Sequence, residues 1–488
     1  MIEERIMKII KNQKILNFLV NSYFAVLFLV MIFGRSFIGL TISGYRIGEI
    51  IILIAFLTTF LIFYPDILEG NLHRKSLLVH RLLVISFFIY VFISEGSLLS
   101  TYTYRSSSYL WTLIFIYFGV FLYRYKISIK FDLRVLLIPL PLTYILSSVY
   151  YPQIFQNIFL NYSDVFDFLK ASDLLLVFVV TNYLYFIISD NYKSPFIYLI
   201  ISGAIFFPYM AYKSKGAILP GIIFLLLMLF QYRKLLIKKI LFSSVVILIG
   251  ALLFLFSTVR TFGGFESVNY EIFFSEREEN IKMHERFTNF QSIVKTQPER
   301  YDPETVPERY ETQNIKEVSE DIYINIIPPE KEYKNVTHFW IFTLADNRLY
   351  SNETNIDYRL QIWQDVLIDL RLQNKLFSGY SYNEIIPAMT PAERRGWDGT
   401  NENVHNYLIN IFARGGIIHL TLFILFYYFI INFWHKENKN YLILVYILPI
   451  FVTSLFDVTM ESVRYPLIFF SFLGFFLNYE TKNKEDLI

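Results

Sequence analysis

The segment Asn403-Val404-His405-Asn406-Tyr407-Leu408 sets an imidazole beside a carboxamide, about ten residues before Gly415-Gly416 and a long apolar run. An imidazole with an unperturbed pKa of about 6.5 can exchange a proton near neutral pH. Cations stand at or beyond the ends of the apolar runs: Arg35, Arg46, Lys213, Lys215, Arg260, Arg359, Arg394, Arg395, Arg414 and Arg464. A guanidinium holds a phosphate through two charge-assisted hydrogen bonds, whereas an ammonium acts as a point charge. The same residues are also what side chains look like when they only snorkel to the headgroups. Tyr358, Trp363, Tyr380 and Trp397 offer faces for sugars or, equally, for packing. The other histidines, His73, His80, His284, His338, His419 and His435, are dispersed without metal-ligand spacing. His419 lies inside an apolar helix and reads as a packed residue with one hydrogen bond. No cysteine is present, which excludes disulfides and a thiolate nucleophile. Neither a phosphate-binding glycine loop nor a dinucleotide fingerprint occurs, and no basic domain suggests nucleic acid.

The elements that would position these groups are membrane helices. Of 488 residues 55% are hydrophobic and only 18% charged, with 50 Phe and 37 Tyr, well below the charge of soluble domains. Apolar runs lie near 15–33, 47–64, 77–94, 109–123, 132–151, 173–189, 195–212, 216–231, 238–259, 415–433, 441–456 and 463–479. Runs of ~20 residues match a ~30 Å hydrocarbon core, so an all-α polytopic bundle of about twelve transmembrane helices is expected. Residues 152–161 read as a short interfacial helix. The first run is too long for a cleaved signal segment and is followed by no small-residue cleavage site.

Lys/Arg bias orients the bundle. With the N-terminus inside, the inner segments carry 19 Lys and Arg against 6 in the short outer loops, so both termini are expected in the cytoplasm. Three parts follow: an N-terminal bundle of about nine helices (1–259), an extracytoplasmic loop domain (260–404) and about three C-terminal helices (405–488). The loop domain carries a net charge of −9 and the remainder +11, an acidic outer domain on a basic membrane body. Its first part, 261–345, is rich in Pro and Glu without periodicity and reads as a loose insertion. Leu360, Trp363, Leu367 and Leu370 recur at helical spacing, so Thr354–Leu372 is expected as an amphipathic helix. Arg359 and Trp363, four apart, share a face of it. Tyr382–Met389 suggests a short helix. Glu49, Asp457 and Glu461 are among the few acids near the apolar runs. Their scarcity weighs against a proton-coupled pump.

His405-Asn406 followed by Gly416, with Tyr358-Arg359-Leu360-Gln361-Ile362-Trp363 and the turn Ser378-Gly379-Tyr380 upstream, resembles the O-antigen ligase and polymerase superfamily of membrane glycosyltransferases. The many-helix topology and the long outer loop before the histidine extend the resemblance over most of the chain. His419 stands where the family pattern usually closes with Gly, Thr or Tyr. At Tyr212-Lys213-Ser214-Lys215-Gly216, Lys215 stands where the family tends to have Arg. The resemblance implies a metal-independent, cofactor-free, inverting transfer at the outer face of the bacterial inner membrane. The donor would be a glycan on undecaprenyl diphosphate. The acceptor would be a lipid A-core sugar (ligase) or another lipid-linked unit (polymerase). His405 would act as general base with Asn406 orienting it, and Arg359, Arg260, Lys215 and Arg464 would hold the diphosphate. A glycolipid flippase is the reading from another class. It would need cations along a mid-membrane path, whereas here they cluster at helix ends.

Overall fold

A computed structural model describes residues 13–58, 71–94, 96, 100–125, 132–164, 166–263, 337–339, 341–345, 348–352, 354–391, 394 and 402–478. The expected loose insertion lies, over 264–336, outside the described residues, as do Arg395 and Trp397.

Each apolar run contains a helix. In chain order they are α1 (Gln13–Phe33), α2 (Ile47–Thr58), α3 (Asn71–Ile93), α4 (Phe115–Tyr125), α5 (Pro139–Ser148), α6 (Gln153–Tyr162), α7 (Ala171–Ile188), α8 (Lys193–Lys213), α9 (Ile218–Gln231), α10 (Arg233–Lys238) and α11 (Ile240–Phe262). Then follow α12 (Thr354–Leu372), α13 (Tyr407–Asn438), α14 (Ile443–Ser454) and α15 (Arg464–Leu477). The described residues account for part of the expected twelve spans. Among the described residues five helices are long and apolar enough to cross a membrane: Lys75–Ile93, Ala171–Ile188, Lys193–Lys213, Ile240–Phe262 and Tyr407–Asn438. A bent pair, Leu133–Ser148 with Gln153–Tyr162 at 87°, would make six as a broken span. Among the described residues the other apolar stretches, including Asn17–Phe33, Ile47–Leu57 and Arg464–Leu477, run for 10–17 residues. The 14 residues of α9 reach only about 21 Å, because the run opens with the tight turn Lys215–Ala217.

The packing is inverted relative to a water-soluble protein. On α11, Ser243, Val246, Gly250, Ser257 and Thr261 are buried, and the Ser257 hydroxyl donates to the Ile205 carbonyl of α8 at 2.8 Å. Leu241, Leu248, Leu252 and Phe256, on its other side, are exposed. Small and polar residues between helices with large apolar ones outward are the arrangement of helices solvated by lipid. α7 lies at the centre, with most of its side chains buried.

The chain divides into two compact units, 1–264 with 355–488, and 265–354. α12 from Asn355 onward and the described residues 373–391, 394 and 402–404 therefore belong to the first unit. In the second, strands β3 (Thr337–Phe339), β4 (Phe342–Ala345) and β5 (Arg348–Ser351) form an antiparallel sheet in that order. A two-residue hairpin, β1 (Thr41–Ile42) with β2 (Tyr45–Arg46), belongs to the first. These strands qualify the all-α expectation. Strands of three or four residues are too short for a period-2 pattern to register.

α13 is broken. Gly416 adopts φ 63° and ψ −164° inside it, a region essentially reserved for glycine. The segment 376–381 docks into the break. In an unbroken helix the Ala413 carbonyl would take the N–H of Ile417. Here it accepts from Tyr380 N–H at 2.7 Å, the Arg414 carbonyl accepts from Ser381 N–H at 2.9 Å, and Ile417 N–H donates to the Leu376 carbonyl at 2.9 Å. A Cβ on Gly416 would lie 2.1 Å from the Phe377 carbonyl oxygen, and one on Gly379 (φ 70°) 2.5 Å from the Arg414 carbonyl. The expected helix over Tyr382–Met389 is reduced to a 3-10 turn at Pro387–Met389. The carbonyls it would need are engaged: Tyr382 with the Ser106 hydroxyl at 2.7 Å, Glu384 with the Tyr102 hydroxyl and with Arg414.

α12 has the expected bounds but a rotated face. Ile362, Val366 and Leu370 are fully buried in a small core with Ile386, Met389, Val404 and Ala413, while Leu367 is 45% exposed. Gly416→Ala should cost at least the ~1–3 kcal/mol of a residue forced into a glycine-only region, with the clash in addition. Gly203→Ala, whose Cβ meets nothing nearer than 3.5 Å, should be tolerated. Thermal unfolding of the two variants in detergent checks this; equal midpoints would show that the break is not required.

Candidate active site

His405 precedes α13 in a left-handed conformation (φ 53°), and Asn406 is the N-cap of that helix, its Oδ1 accepting from Ile409 N–H at 3.1 Å. The cap accounts for Asn406 structurally: its carbonyl oxygen satisfies one of the orphan donors of the first turn. It also fixes where the imidazole leaves the helix. On the other side of His405, the Trp363 indole N–H donates to the Val404 carbonyl at 2.7 Å, which ties α12 to the residue before the histidine. The ring of Tyr358 meets the imidazole edge-on at 6.1 Å between centroids.

Three elements bring charge to bear on the imidazole. The charges that act on it are Arg359 from α12, Asp457 from the turn after α14, and Lys170 from the loop before α7. Burial, and then Arg359, push its pKa down to about 4, with Asp457 opposing and Lys170 adding to the depression. His405 is therefore a neutral imidazole at pH 7. Burial also lowers the pKa of Arg359, while Asp457 works to raise it. Among the described residues Arg359 forms no ion pair within 4 Å.

Arg464 opens α15 and is 7% exposed. Its Nε lies 3.2 Å from Asp173 Oδ1, an ion contact without hydrogen-bond alignment, and its Nη1 is buried without a hydrogen-bond partner. The other oxygen of Asp173 accepts from Lys170 N–H at 3.1 Å, so one carboxylate positions both cations. Asp457 and Lys170, which act on His405, act on Asp173 as well. Glu461 is half-buried with its Oε1 enclosed, and its pKa is raised to about 7 because burial outweighs the charges of Arg414 and Arg105. The Tyr407 hydroxyl, Thr459 Oγ1 and Arg414 Nε are further buried polar atoms without a hydrogen-bond partner. Native interiors hold few such atoms, so their concentration at the head of α13 and α15 marks a place built to receive polar groups.

Not every expected residue joins this site. Arg260 is occupied elsewhere, with Nη1 donating to the Tyr144 hydroxyl at 3.0 Å and Nη2 to the Ser148 carbonyl at 3.2 Å, across to α5. It is not among the charges that act on His405. Lys215 begins the turn between α8 and α9, its side chain lying outside the described residues; Lys213, which ends α8, stands 5.7 Å above the Tyr209 ring. Arg394 pairs with Asp365 at 2.5 Å and donates to the Ala388 carbonyl at 2.8 Å, which makes it a clamp on α12. Arg414 donates to the Ser381 and Glu384 carbonyls and to the Tyr102 hydroxyl, and so holds the segment docked at the helix break. His419 makes more than one hydrogen bond: Nδ1 meets the hydroxyls of Tyr109 at 2.7 Å and Tyr382 at 2.5 Å, and Nε2 meets Ser86 Oγ at 2.7 Å.

Lys170 and Asp457 are the members that sequence reasoning missed as site residues. Both are ordinary polar residues beside apolar runs, and only their convergence distinguishes them. Among the described residues no three His, Asp or Glu side chains stand together as a metal-holding group.

Removing the Arg359 charge should raise the His405 pKa above 4, though burial should keep it below 6.5. A titration of labelled histidine by NMR, with His405→Gln identifying the resonance, checks the direction in Arg359→Ala. The depressed folded pKa also means that this histidine's contribution to stability is complete above about pH 6.5 and is lost as pH falls toward 4. His405→Gln should flatten that part of the acid limb in an unfolding series. No protein-family model, characterised protein or solved structure matches this chain.

Proposed function

We propose that the protein is a membrane glycosyltransferase of the O-antigen ligase and polymerase type, with His405 as general base and Arg359, Lys170 and Arg464 receiving the diphosphate of a lipid-linked glycan donor. The single observation that carries this reading is the convergence of a neutral, half-buried imidazole with Arg359, Lys170 and Asp457 at the head of α13. A hydroxyl nucleophile needs an unprotonated base, and a departing diphosphate needs fixed positive charge. Both requirements are met by side chains of the same site.

In the proposed step the acceptor hydroxyl oxygen forms a bond to the anomeric carbon as the carbon–oxygen bond to the diphosphate breaks. The hydroxyl proton passes to His405, and the electron pair leaves with the diphosphate, so the anomeric configuration inverts. The cations supply the charge stabilisation that a divalent ion gives in other diphosphate chemistry, and no cofactor enters. The electrostatics favour an ordered reaction. Arg359 and Lys170 depress the imidazole's basicity. A bound diphosphate brings negative charge that offsets them, so His405 becomes a stronger base once the donor is in place. Arg260 and Lys213, at the other corner, are assigned no part in the step.

The reading places the chain in a bacterial inner membrane with both termini in the cytoplasm, in keeping with the Lys/Arg distribution. Its donor is undecaprenyl-diphosphate-linked glycan. Ligase is the preferred form, with a lipid A-core acceptor; a polymerase would use a second lipid-linked unit.

Purified protein with lipid-linked donor and acceptor tests the chemistry. His405→Ala should lose ~10²–10⁴ in turnover while donor binding survives. Arg359→Lys should remain impaired, because an ammonium lacks the two-pronged geometry. Near-normal turnover by folded His405→Ala would overturn the assignment. Deletion in the host separates the two forms: unchanged lipid-linked polymer with bare core means ligase, and single repeat units on core mean polymerase.

A further inference from the structure

The helix that carries Arg359 has a second, apolar edge. The core face of α12 is Ile362, Val366 and Leu370. On its other side Leu367, Ile368 and Leu372 are exposed, and so are Leu376 and Phe377 in the turn that follows. Leu372 and Phe377 are the most open of these, at 74% and 72%. The only charges between Leu370 and Tyr380 are basic: Arg371, which is exposed, and Lys375, whose ammonium stands 5.2 Å from the centre of the Tyr380 ring.

Two membrane helices fix the depth of that edge. α13 carries no Lys, Arg, Asp or Glu from Gly415 to His435. Gly416 to Lys436 measures ~30 Å along a helix, the thickness of a hydrocarbon core, so Gly416 stands at one boundary of that core. The backbone of the turn is seated there: the Leu376 carbonyl accepts from Ile417 N–H at 2.9 Å, and the Phe377 carbonyl faces Gly416. The apolar span of α3 ends at Ile93, and the Ser94 hydroxyl just beyond it lies 2.9 Å from the Ser381 hydroxyl. Separate contacts with two spans therefore set the docked segment at one level. Exposed apolar side chains continue from it along both helices, with Ile417, Ile418 and Ile424 on α13 and Ile89, Phe92 and Ile93 on α3. From Leu372 back to Ile356, α12 runs ~24 Å toward the head of α13, where the Trp363 indole holds the Val404 carbonyl.

We propose that the last turns of α12 and the turn after it are inserted into one leaflet of the membrane. Leu372, Leu376 and Phe377 lie among the acyl chains, Leu367 and Ile368 lie at the headgroup boundary, and Arg371 and Lys375 reach back to the lipid phosphates. Apolar side chains flanked by basic ones are the composition of helices held in the membrane interface. Long cationic side chains keep their heads in the polar layer while their stems lie in the apolar one. The bilayer thus holds one end of the helix whose other end carries Arg359. This seating is independent of the transfer chemistry.

The chain has no cysteine, so single cysteines can carry a nitrobenzoxadiazole label in the full chain. The labelled protein is placed in phosphatidylcholine nanodiscs whose acyl chains bear bromine either near the headgroup or near the bilayer centre. Labels at Phe377→Cys and Leu372→Cys should lose most of their emission to the shallow bromine, less to the deep bromine and little to aqueous iodide. A label at Ile424→Cys, ~12 Å deeper along α13, should respond most to the deep bromine, which verifies that the bundle is inserted. A label at Ile356→Cys, an apolar position 37% exposed at the opposite end of α12, should respond to iodide alone. Quenching by iodide rather than by bromine at 372 and 377, beside the expected response at 424, would overturn the seating. So would equal bromine quenching at 356 and 377, since the whole helix would then lie flat in the membrane. Shielding of 377 from both quenchers would overturn it as well, since protein rather than lipid would then cover the edge.

Discussion

The break of α13 at Gly416 is the constraint on which the site depends. A helix interrupted in an apolar environment leaves amide groups that water cannot satisfy, and each costs several kcal/mol unless another protein group takes it. The 376–381 segment supplies those groups, and the exchange holds only because Gly416 and Gly379 bring two backbones into contact. α12 packs on the docked segment and on the first turns of α13, through Ile362, Val366 and Leu370. Arg359 is therefore delivered to His405 by a chain of contacts that begins at the broken helix.

Around that frame the polar residues divide into those that are spent and those that are not. Arg394 and Arg414 have carbonyl and hydroxyl partners and act as clamps. His419 is enclosed by two tyrosines and a serine, a satisfied network that links α13 to α3 and to the docked segment. Arg464 keeps a buried, unpartnered Nη1, and among the described residues Arg359 forms no ion pair. Burying a cation without full compensation is costly, and Arg464 and Arg359 both carry that cost beside His405. Asp457 limits the cost at Arg359 and favours the charged form of His405, while as a like charge it opposes the ionisation of Asp173 and Glu461.

The inverted packing of α11, and the central position of α7, explain how so many aromatic and polar residues coexist. Lipid-facing surface takes the aliphatic side chains, and the interior is left for hydroxyls, glycines and rings that pack by contact and hydrogen bonding.

The amino-acid sequence by itself determined which stretches are helical and apolar, the bounds of Thr354–Leu372, a short helix over 152–161 that forms over Gln153–Tyr162, and the placing of His405 just ahead of a glycine-bearing apolar helix. Those features are local: hydropathy, periodicity and caps are written within one or two turns of chain. The tertiary structure alone decided how many runs form helices long enough to span, because that turns on where hydrogen bonding changes rather than on composition. It also decided which cations meet the histidine. Lys170, Arg359, His405 and Asp457 are separated by as much as 287 positions, and nothing in their immediate neighbours distinguishes them from Arg260, whose guanidinium is held by α5. Charge acts through space, and whether a buried cation is a clamp or a free charge depends on which carbonyls and carboxylates the fold brings within about 4 Å of it.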